Sequence, residues 1–226
     1  MKYTTTLLAG LFFGQSMVSA APAGEWSVLF NGEKVNGLRA YGQKTMSELW
    51  EIKDGTLKTI PGKKKQDLIT EQSFTDFEFE CEWKVSPGGN SGIMYRVKEG
   101  KKAAFFTGPE MQVLDDERHK DGKLNFPKRT AGSLYDLAGK GMKEKEYKKA
   151  GEWNKARIVC KDNNVQHWLN GTKIYEYTWG SEEIKAMVAK SKFKKWPEFM
   201  GESKGHIVIQ HHGEEVWYRN IRVRGK

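Results

Sequence analysis

One stretch constrains the fold of this chain more than any other. In residues 74–85, Phe77, Phe79, Cys81, Trp83 and Val85 alternate strictly with Glu78, Glu80, Glu82 and Lys84. Successive side chains of a strand point to opposite faces, so the segment predicts a long β-strand with one buried face and one wet face. Shorter runs predict further strands over 26–30, 49–53, 56–60, 92–97, 110–114, 132–137, 153–161, 165–169 and 173–177. Asn31-Gly32, Asp54-Gly55, Pro61-Gly62 and Asn170-Gly171 punctuate them as turns. A single late helix interrupts the pattern. Ser181 can cap it, Glu182 and Glu183 favour its positive end, Ile184, Met187 and Val188 share one face, and Trp196-Pro197 stops it. Many short strands with one covering helix predict an all-β, two-sheet antiparallel jelly-roll sandwich.

The start of the chain carries a different signal. Lys2 precedes an apolar run (Leu7, Leu8, Ala9, Leu11, Phe12, Phe13) that Gly14, Gln15 and Ser16 break, and Val18-Ser19-Ala20 resembles a cleavage site. Residues 1–20 therefore read as a signal peptide, and 21–226 as a single exported domain, periplasmic or secreted. No later segment is long and apolar enough to span a membrane. The net charge is +9, spread through runs such as Lys63-Lys64-Lys65 and a stretch over 143–149 interleaved with glutamate. With no nucleic-acid module beside them these runs read as solvated loops, so nucleic acid is not an expected partner. Cys81 and Cys160 each sit in a predicted strand. A disulfide and two buried thiols both fit, and their spacing signals no metal.

Three polar constellations stand out. The first, over 87–96, is a flexible turn with Asn90 feeding a strand that carries Arg96. The second holds Glu110, Gln112, Asp115, Asp116, His119 and Asp121. Glu110, Gln112 and Leu114 share a strand face, which suggests a concave pocket. The third is the end, 205–226, read as a hairpin turning at Gly213. It would gather Gln210, His211, His212, Arg219 and Asn220 at one sheet position, with the two histidines on opposite faces.

At these places, and across nearly the whole of 21–226, the chain resembles the 3-keto-disaccharide hydrolase domain family. The resemblance rests on Leu29-Phe30-Asn31-Gly32, Asn90-Ser91-Gly92, Glu110-Met111-Gln112-Val113-Leu114-Asp115, Ala131-Gly132-Ser133-Leu134-Tyr135, Trp153-Asn154, Trp168-Leu169-Asn170-Gly171, Gln210, His212-Gly213 and Arg219-Asn220-Ile221. It implies a concanavalin-A-like jelly roll from an exported bacterial protein that acts on disaccharides or glycosides oxidised at C3.

A ketone at C3 acidifies the C2 proton, so an enolate can form and expel the group at C1, with water added afterwards. Such a reaction needs a base, donors or a cation on the enolate oxygen, and an acid for the leaving group. His212 is the first candidate base, because imidazole ordinarily titrates near pH ~6.5. Glu110 is its rival if burial raises its pKa. Arg96 and Arg219 are candidate cations. Asn90, Gln112, Asp115, Tyr135, Gln210 and Asn220 are candidate hydroxyl binders, and Trp196 a candidate stacking surface. His119 with Asp115 and Asp121 offers an alternative use, a divalent cation. The competing reading is a lectin-like carbohydrate-binding module with no catalysis, since the same sandwich hosts both. An ordinary glycosidase would need two facing carboxylates, and Glu110 and Asp115 fall on opposite faces of a regular strand.

Overall fold

The computed structural model describes residues 24–141 and 146–226. The predicted signal peptide, and part of the charged run over 143–149, lie outside them. Two antiparallel sheets face one another. The larger contains β1 (Ser27–Phe30), β3 (Trp50–Lys53), β4 (Thr56–Thr59), β6 (Phe77–Val85), β9 (Asn154–Lys161), β10 (Asn164–Leu169), β11 (Thr172–Thr178) and β13 (Val216–Gly225). Its order is β11-β10-β9-β6-β13-β4-β3, with β1 also on β13. The smaller contains β2 (Leu38–Ala40), β5 (Leu68–Thr70), β7 (Asn90–Val97), β8 (Glu110–Leu114) and β12 (His206–Ile209), in the order β2-β5-β12-β7-β8. The helix α1 (Glu182–Lys190) is capped by the Ser181 hydroxyl, which accepts the Ile184 N–H at 3.3 Å. This is the expected two-sheet sandwich with one helix.

The apolar face of β6 works as the alternation predicts. Phe77, Phe79, Cys81 and Trp83 pack into one cluster with Ile93, Tyr95, Met111, Val113, Ile207 and Ile209 from the smaller sheet. The other face of β6 departs from expectation. Glu78 and Glu80 are only 2% and 7% exposed. The β13 register sets Arg224, Arg222 and Arg219 opposite Glu78, Glu80 and Glu82. Each arginine lies across its glutamate, and Arg157 of β9 adds a second ion pair to Glu78. Pairing with guanidinium groups is what makes burial of these carboxylates tolerable.

Two further expectations change, and two short strands were not foreseen. The end of the chain is not a hairpin: β12 pairs with β5 and β7, whereas β13 pairs with β1, β4 and β6, so residues 210–215 cross from one sheet to the other. A glycine turn serves a crossover as well as a hairpin, and pairing partners are set at long range. Residues 132–137 form no strand. Leu134 makes single bridges to Met111 and Ala138, while positive φ at Gly132 (83°) and Asp136 (62°) turns the chain away. β2 and β5, three residues each, are too short to announce themselves by alternation. Cys81 and Cys160 are buried free thiols.

The arginine ladder makes a graded prediction. Glu78→Gln leaves Arg224 without a carboxylate and Arg157 with only Glu80 at 3.9 Å, at a site whose side chain is 3% exposed, and should cost about 3 kcal/mol. Glu82→Gln, at 27% side-chain exposure, should cost under about 1 kcal/mol and be salt-sensitive. Urea unfolding at low and high salt checks both; equal losses would show that burial does not set the energetics of the ladder.

Candidate active site

The floor of the site follows from register. β7 and β8 place Gly92 opposite Gln112 and Met94 opposite Glu110, and Gln210 N–H donates to the Gly92 carbonyl at 2.9 Å. Asn90, Glu110, Gln112 and Gln210 thereby ring Gly92 on the face of the smaller sheet turned away from the larger one. A Cβ on Gly92 would overlap the Glu110 carboxylate, so the missing side chain is what gives Glu110 its place. The cavity above this floor is about 180 Å³ and is walled by Phe105, Asp121, Tyr135, Lys192, Phe193, Trp196 and His212.

Local structure fixes each wall. Ser191 ends α1, and its hydroxyl accepts the Phe193 N–H at 3.1 Å, starting the short 3-10 turn Lys192–Lys195 that carries Lys192 and Phe193. Phe193 stacks on Phe199 with ring centroids 4.0 Å apart, and Trp196 stacks on Phe106 at 5.0 Å with Phe105 edge-on at 5.3 Å. On the opposite side Tyr135 donates its hydroxyl to Asp121 Oδ2 at 2.9 Å, and Arg129 binds Asp121 Oδ1 at 3.2 Å.

Burial dominates the electrostatics. It pushes the Glu110 carboxyl up to about 8; the Asp67 and Asp121 charges add to the shift and Lys192 opposes it. Glu110 is therefore largely protonated at neutral pH. Burial also lowers the Lys192 pKa, although Asp136, Glu110 and Asp121 pull the other way. The Lys192 ammonium lies 4.2 Å from the Tyr135 ring centroid.

The crossing segment supplies the imidazole. His212 Nδ1 lies 2.8 Å from Glu214 Oε2. A carboxylate only accepts, so the Nδ1 proton donates to Glu214 and Nε2 of the neutral ring keeps its lone pair. Glu214 is held below the usual carboxylate range: burial raises it, but the hydrogen bond and charge of His212 outweigh that. His119, the N-cap of the 3-10 turn Lys120–Gly122, stands edge-on to His212 at 6.1 Å. His211 is structural. It is buried, its N–H donates to Asp67 at 2.9 Å, Nε2 reaches the Ile60 carbonyl at 3.1 Å, and its ring meets Trp50 at 5.8 Å.

Of the residues named from sequence, the cavity gathers Asn90, Glu110, Gln112, Asp121, Tyr135, Trp196, Gln210 and His212. It does not gather Arg96, Arg219, Asn220 or Asp115. A bulge in β7, where the β12 register shifts and Arg96 takes φ 48°, turns Arg96 away from the face of Gly92. Its guanidinium is buried against the Trp179 ring at 4.6 Å and donates to the Thr75 carbonyl and Asn163. Arg219 and Asn220 both bind Glu82 on the outer face of the larger sheet, at 2.7 and 2.8 Å. Asp115 is fully buried and accepts the N–H groups of Gly88, Glu117 and Arg118, which makes it a loop tie.

The expected cation set also dissolves, because Asp115 holds its own turn and Asp121 is taken by Tyr135 and Arg129. Among the described residues one other group has metal-like spacing: His119, His212 and Glu214 bring one ligand atom each within 4.8 Å of one another. Sequence reasoning missed Lys192, Phe105 and Phe193 as cavity walls and Glu214 as the partner of His212. The Glu two residues after a candidate base was the one local signal available. Lys192 lay in a lysine-rich stretch with nothing to distinguish it.

Comparison with known proteins identifies the family. Residues 25–224 match the model of a family described as a 3-keto-alpha-glucoside-1,2-lyase-like domain. The chain is 38% identical, over 224 residues, to a 3-keto-disaccharide hydrolase of Bacteroides thetaiotaomicron, with 87% of this chain and 77% of that protein covered. A Parabacteroides distasonis protein provisionally named a glycosyl hydrolase superposes with a TM-score of 0.77 at 28% identity, over 89% of this chain and 94% of that one. The laminarinase catalytic domain of Thermotoga maritima shares the fold alone, at TM-score 0.50 and 8% identity over 90% and 99% of the two chains. The chain therefore belongs to the 3-keto-α-glucoside 1,2-lyase-like family.

Proposed function

We propose that this chain is an exported enzyme, a single domain over 21–226, that cleaves the glycosidic bond of 3-keto disaccharides or 3-keto glycosides by elimination and hydration. The observation that carries this reading is that a buried carboxyl, Glu110, and an imidazole whose Nδ1 is tied to Glu214, His212, face one cavity; burial favours the protonated form of Glu110. The name of the Bacteroides relative supports the substrate class, and the leader over 1–20 supports export.

The roles follow from proton bookkeeping. His212 Nε2 takes the C2 proton, and the C2–H electron pair forms the C2–C3 double bond as the C3 oxygen becomes an enolate. When the enolate collapses, the C1–O bond breaks and its electron pair leaves on the oxygen, which takes the Glu110 proton. Water then adds across C1 and C2 in reverse, giving a proton to Glu110, while C2 recovers its proton from His212. Glu214 holds the His212 tautomer and stabilises the imidazolium that forms. Lys192 contributes positive potential as charge grows on the sugar. Gln112, Gln210 and Tyr135 suit hydroxyl recognition, and Phe105 with Trp196 offers an aromatic wall for a sugar ring.

The direct test is turnover of 3-keto-trehalose beside trehalose. Cleavage of the oxidised sugar alone is expected, with His212→Ala and Glu110→Gln each lowering kcat by roughly a hundred- to ten-thousand-fold. Binding without cleavage of either sugar would make the chain a carbohydrate-binding module instead. The pH profile separates acid from base: with Glu110 as the acid, kcat/KM falls as pH rises through about 8, and a rise there would make it the base. Stability should follow the same proton. A carboxyl whose folded pKa is raised from 4.5 to about 8 stabilises the fold at low pH, and that contribution is lost as pH rises through this window. The Tm of Glu110→Gln should therefore gain on the unsubstituted chain between pH 5 and 9.

A further inference from the structure

Gln112 stands where the floor of the cavity is held most firmly. It lies opposite Gly92 across β7 and β8, lines the cavity, and is only 1% exposed. On its other edge its N–H donates to the Ser133 carbonyl at 3.1 Å, and its carbonyl accepts the Gly132 N–H at 2.8 Å. That neighbouring segment is tied to the core in turn, where His167 Nδ1 meets the Gly132 carbonyl at 3.2 Å. The side-chain amide has one orientation. Gln112 Oε1 accepts the Val113 backbone N–H at 3.0 Å, and only the oxygen of an amide can take that proton. The NH2 end is therefore turned away from Val113, and it has no hydrogen-bond partner among the described residues. The buried polar atoms that lack both a partner and contact with water are Trp83 Nε1, Asn90 Oδ1, Arg96 Nε and His211 Nδ1. Gln112 Nε2 is not one of them, so the little of Gln112 that is accessible includes its NH2, and the opening it reaches is the cavity. Buried polar groups are ordinarily paired, so a locked amide with a free NH2 at a cavity floor points to a ligand acceptor.

The other nitrogen and hydroxyl donors of the cavity are spent or loose. Tyr135 gives its hydroxyl proton to Asp121, and the Asn90 amide is engaged with His119 at 3.5 Å. The Gln210 side chain and the Lys192 ammonium line the cavity with no hydrogen bond among the described residues to fix them. The Glu110 proton is the one the leaving oxygen needs.

We infer that the Gln112 NH2 holds the C3 oxygen of the substrate, bonding the ketone on arrival and the enolate oxygen more strongly once C2 has lost its proton. The inference rests on the function proposed above and deepens it by naming a further catalytic residue. No proton moves at this contact. The C2–H electron pair becomes the C2–C3 double bond, the carbonyl π pair moves onto the C3 oxygen, and the C2 proton goes to His212. A donor already aimed at the place where charge develops favours the transition state, because it does not have to turn as the reaction proceeds. A ketone oxygen only accepts, which matches an amide whose own acceptor is occupied by Val113. The amide does not titrate, so the donor is present at every pH at which His212 and Glu110 act.

Two variants separate the donor from the scaffold. Gln112→Glu keeps an oxygen for the Val113 N–H and puts a carboxylate oxygen where the NH2 stands, and Gln112→Met removes both groups at similar volume. On 3-keto-trehalose each should lower kcat by about a hundred- to a thousand-fold with KM changed only a few-fold. Infrared spectroscopy reads the contact without turnover. In His212→Ala, which lacks the base, bound 3-keto-trehalose labelled with carbon-13 at C3 should show a lower carbonyl stretch than in His212→Ala combined with Gln112→Met. The combination with Gln112→Glu gives the same comparison with the Val113 bond retained. A stretch that is the same with and without Gln112, or a kcat within a few-fold of the unsubstituted chain in Gln112→Glu, would overturn the inference. If the unsubstituted chain cleaves 3-keto-trehalose and either result is found, the enzyme reading stands and only the role of Gln112 falls. If it binds the sugar and cleaves nothing, the enzyme reading falls and takes this inference with it.

Discussion

The site depends on β7 being buried on both faces. Ile93 and Tyr95 fill the core between the sheets, while Asn90 and Gly92 look the other way into the cavity and Met94 packs in a second apolar cluster with Ile69, Val97, Ala104 and Val208. A strand with no wet face cannot leave a carboxylate beside it solvated. Glu110 lies over Gly92, loses its water and keeps its proton to a higher pH. The absence of one side chain thereby sets the protonation state of another. The same strand ties the site to the larger sheet: the Ser91 hydroxyl donates to the Gln210 carbonyl and meets the Tyr218 hydroxyl, both at 2.6 Å.

Charge is divided between the two sheets by role. On the outer face of the larger sheet, Arg219, Arg222 and Arg224 are each matched to a glutamate of β6, and that matching holds β6 to β13. In the cavity the groups can change or share a proton: a raised carboxyl, a histidine with a free nitrogen and a lysine with a lowered pKa. The +9 net charge of the chain is thus no guide to its active site.

Much was legible in the sequence where physics is local. Strand alternation over 77–85 gave the core face of β6, and the shared parity of Glu110 and Gln112 gave the cavity face of β8. Asn90-Ser91-Gly92, read as the end of a turn but in fact the start of β7, and the histidine at 212 were also picked out by pattern and resemblance. Parity failed where the backbone departs from it. Arg96 has the same parity as Gly92, and a single bulge sends it to Trp179. Arg219 was assigned to a hairpin that does not exist, because β12 and β13 belong to different sheets.

What the sequence determined by itself is therefore the longer strands, the faces of regular strands and the residue types available for chemistry, since these follow from periods of two and from side-chain identity. Tertiary structure alone decided which of those residues meet. The His212–Glu214 contact depends on a crossing between sheets, Lys192 reaches the cavity from a turn beyond α1, and the His119 tautomer is fixed by one backbone amide. Pairing partners, bulges and hydrogen-bond directions are set by contacts between distant segments, and these have no signature in the order of the residues themselves.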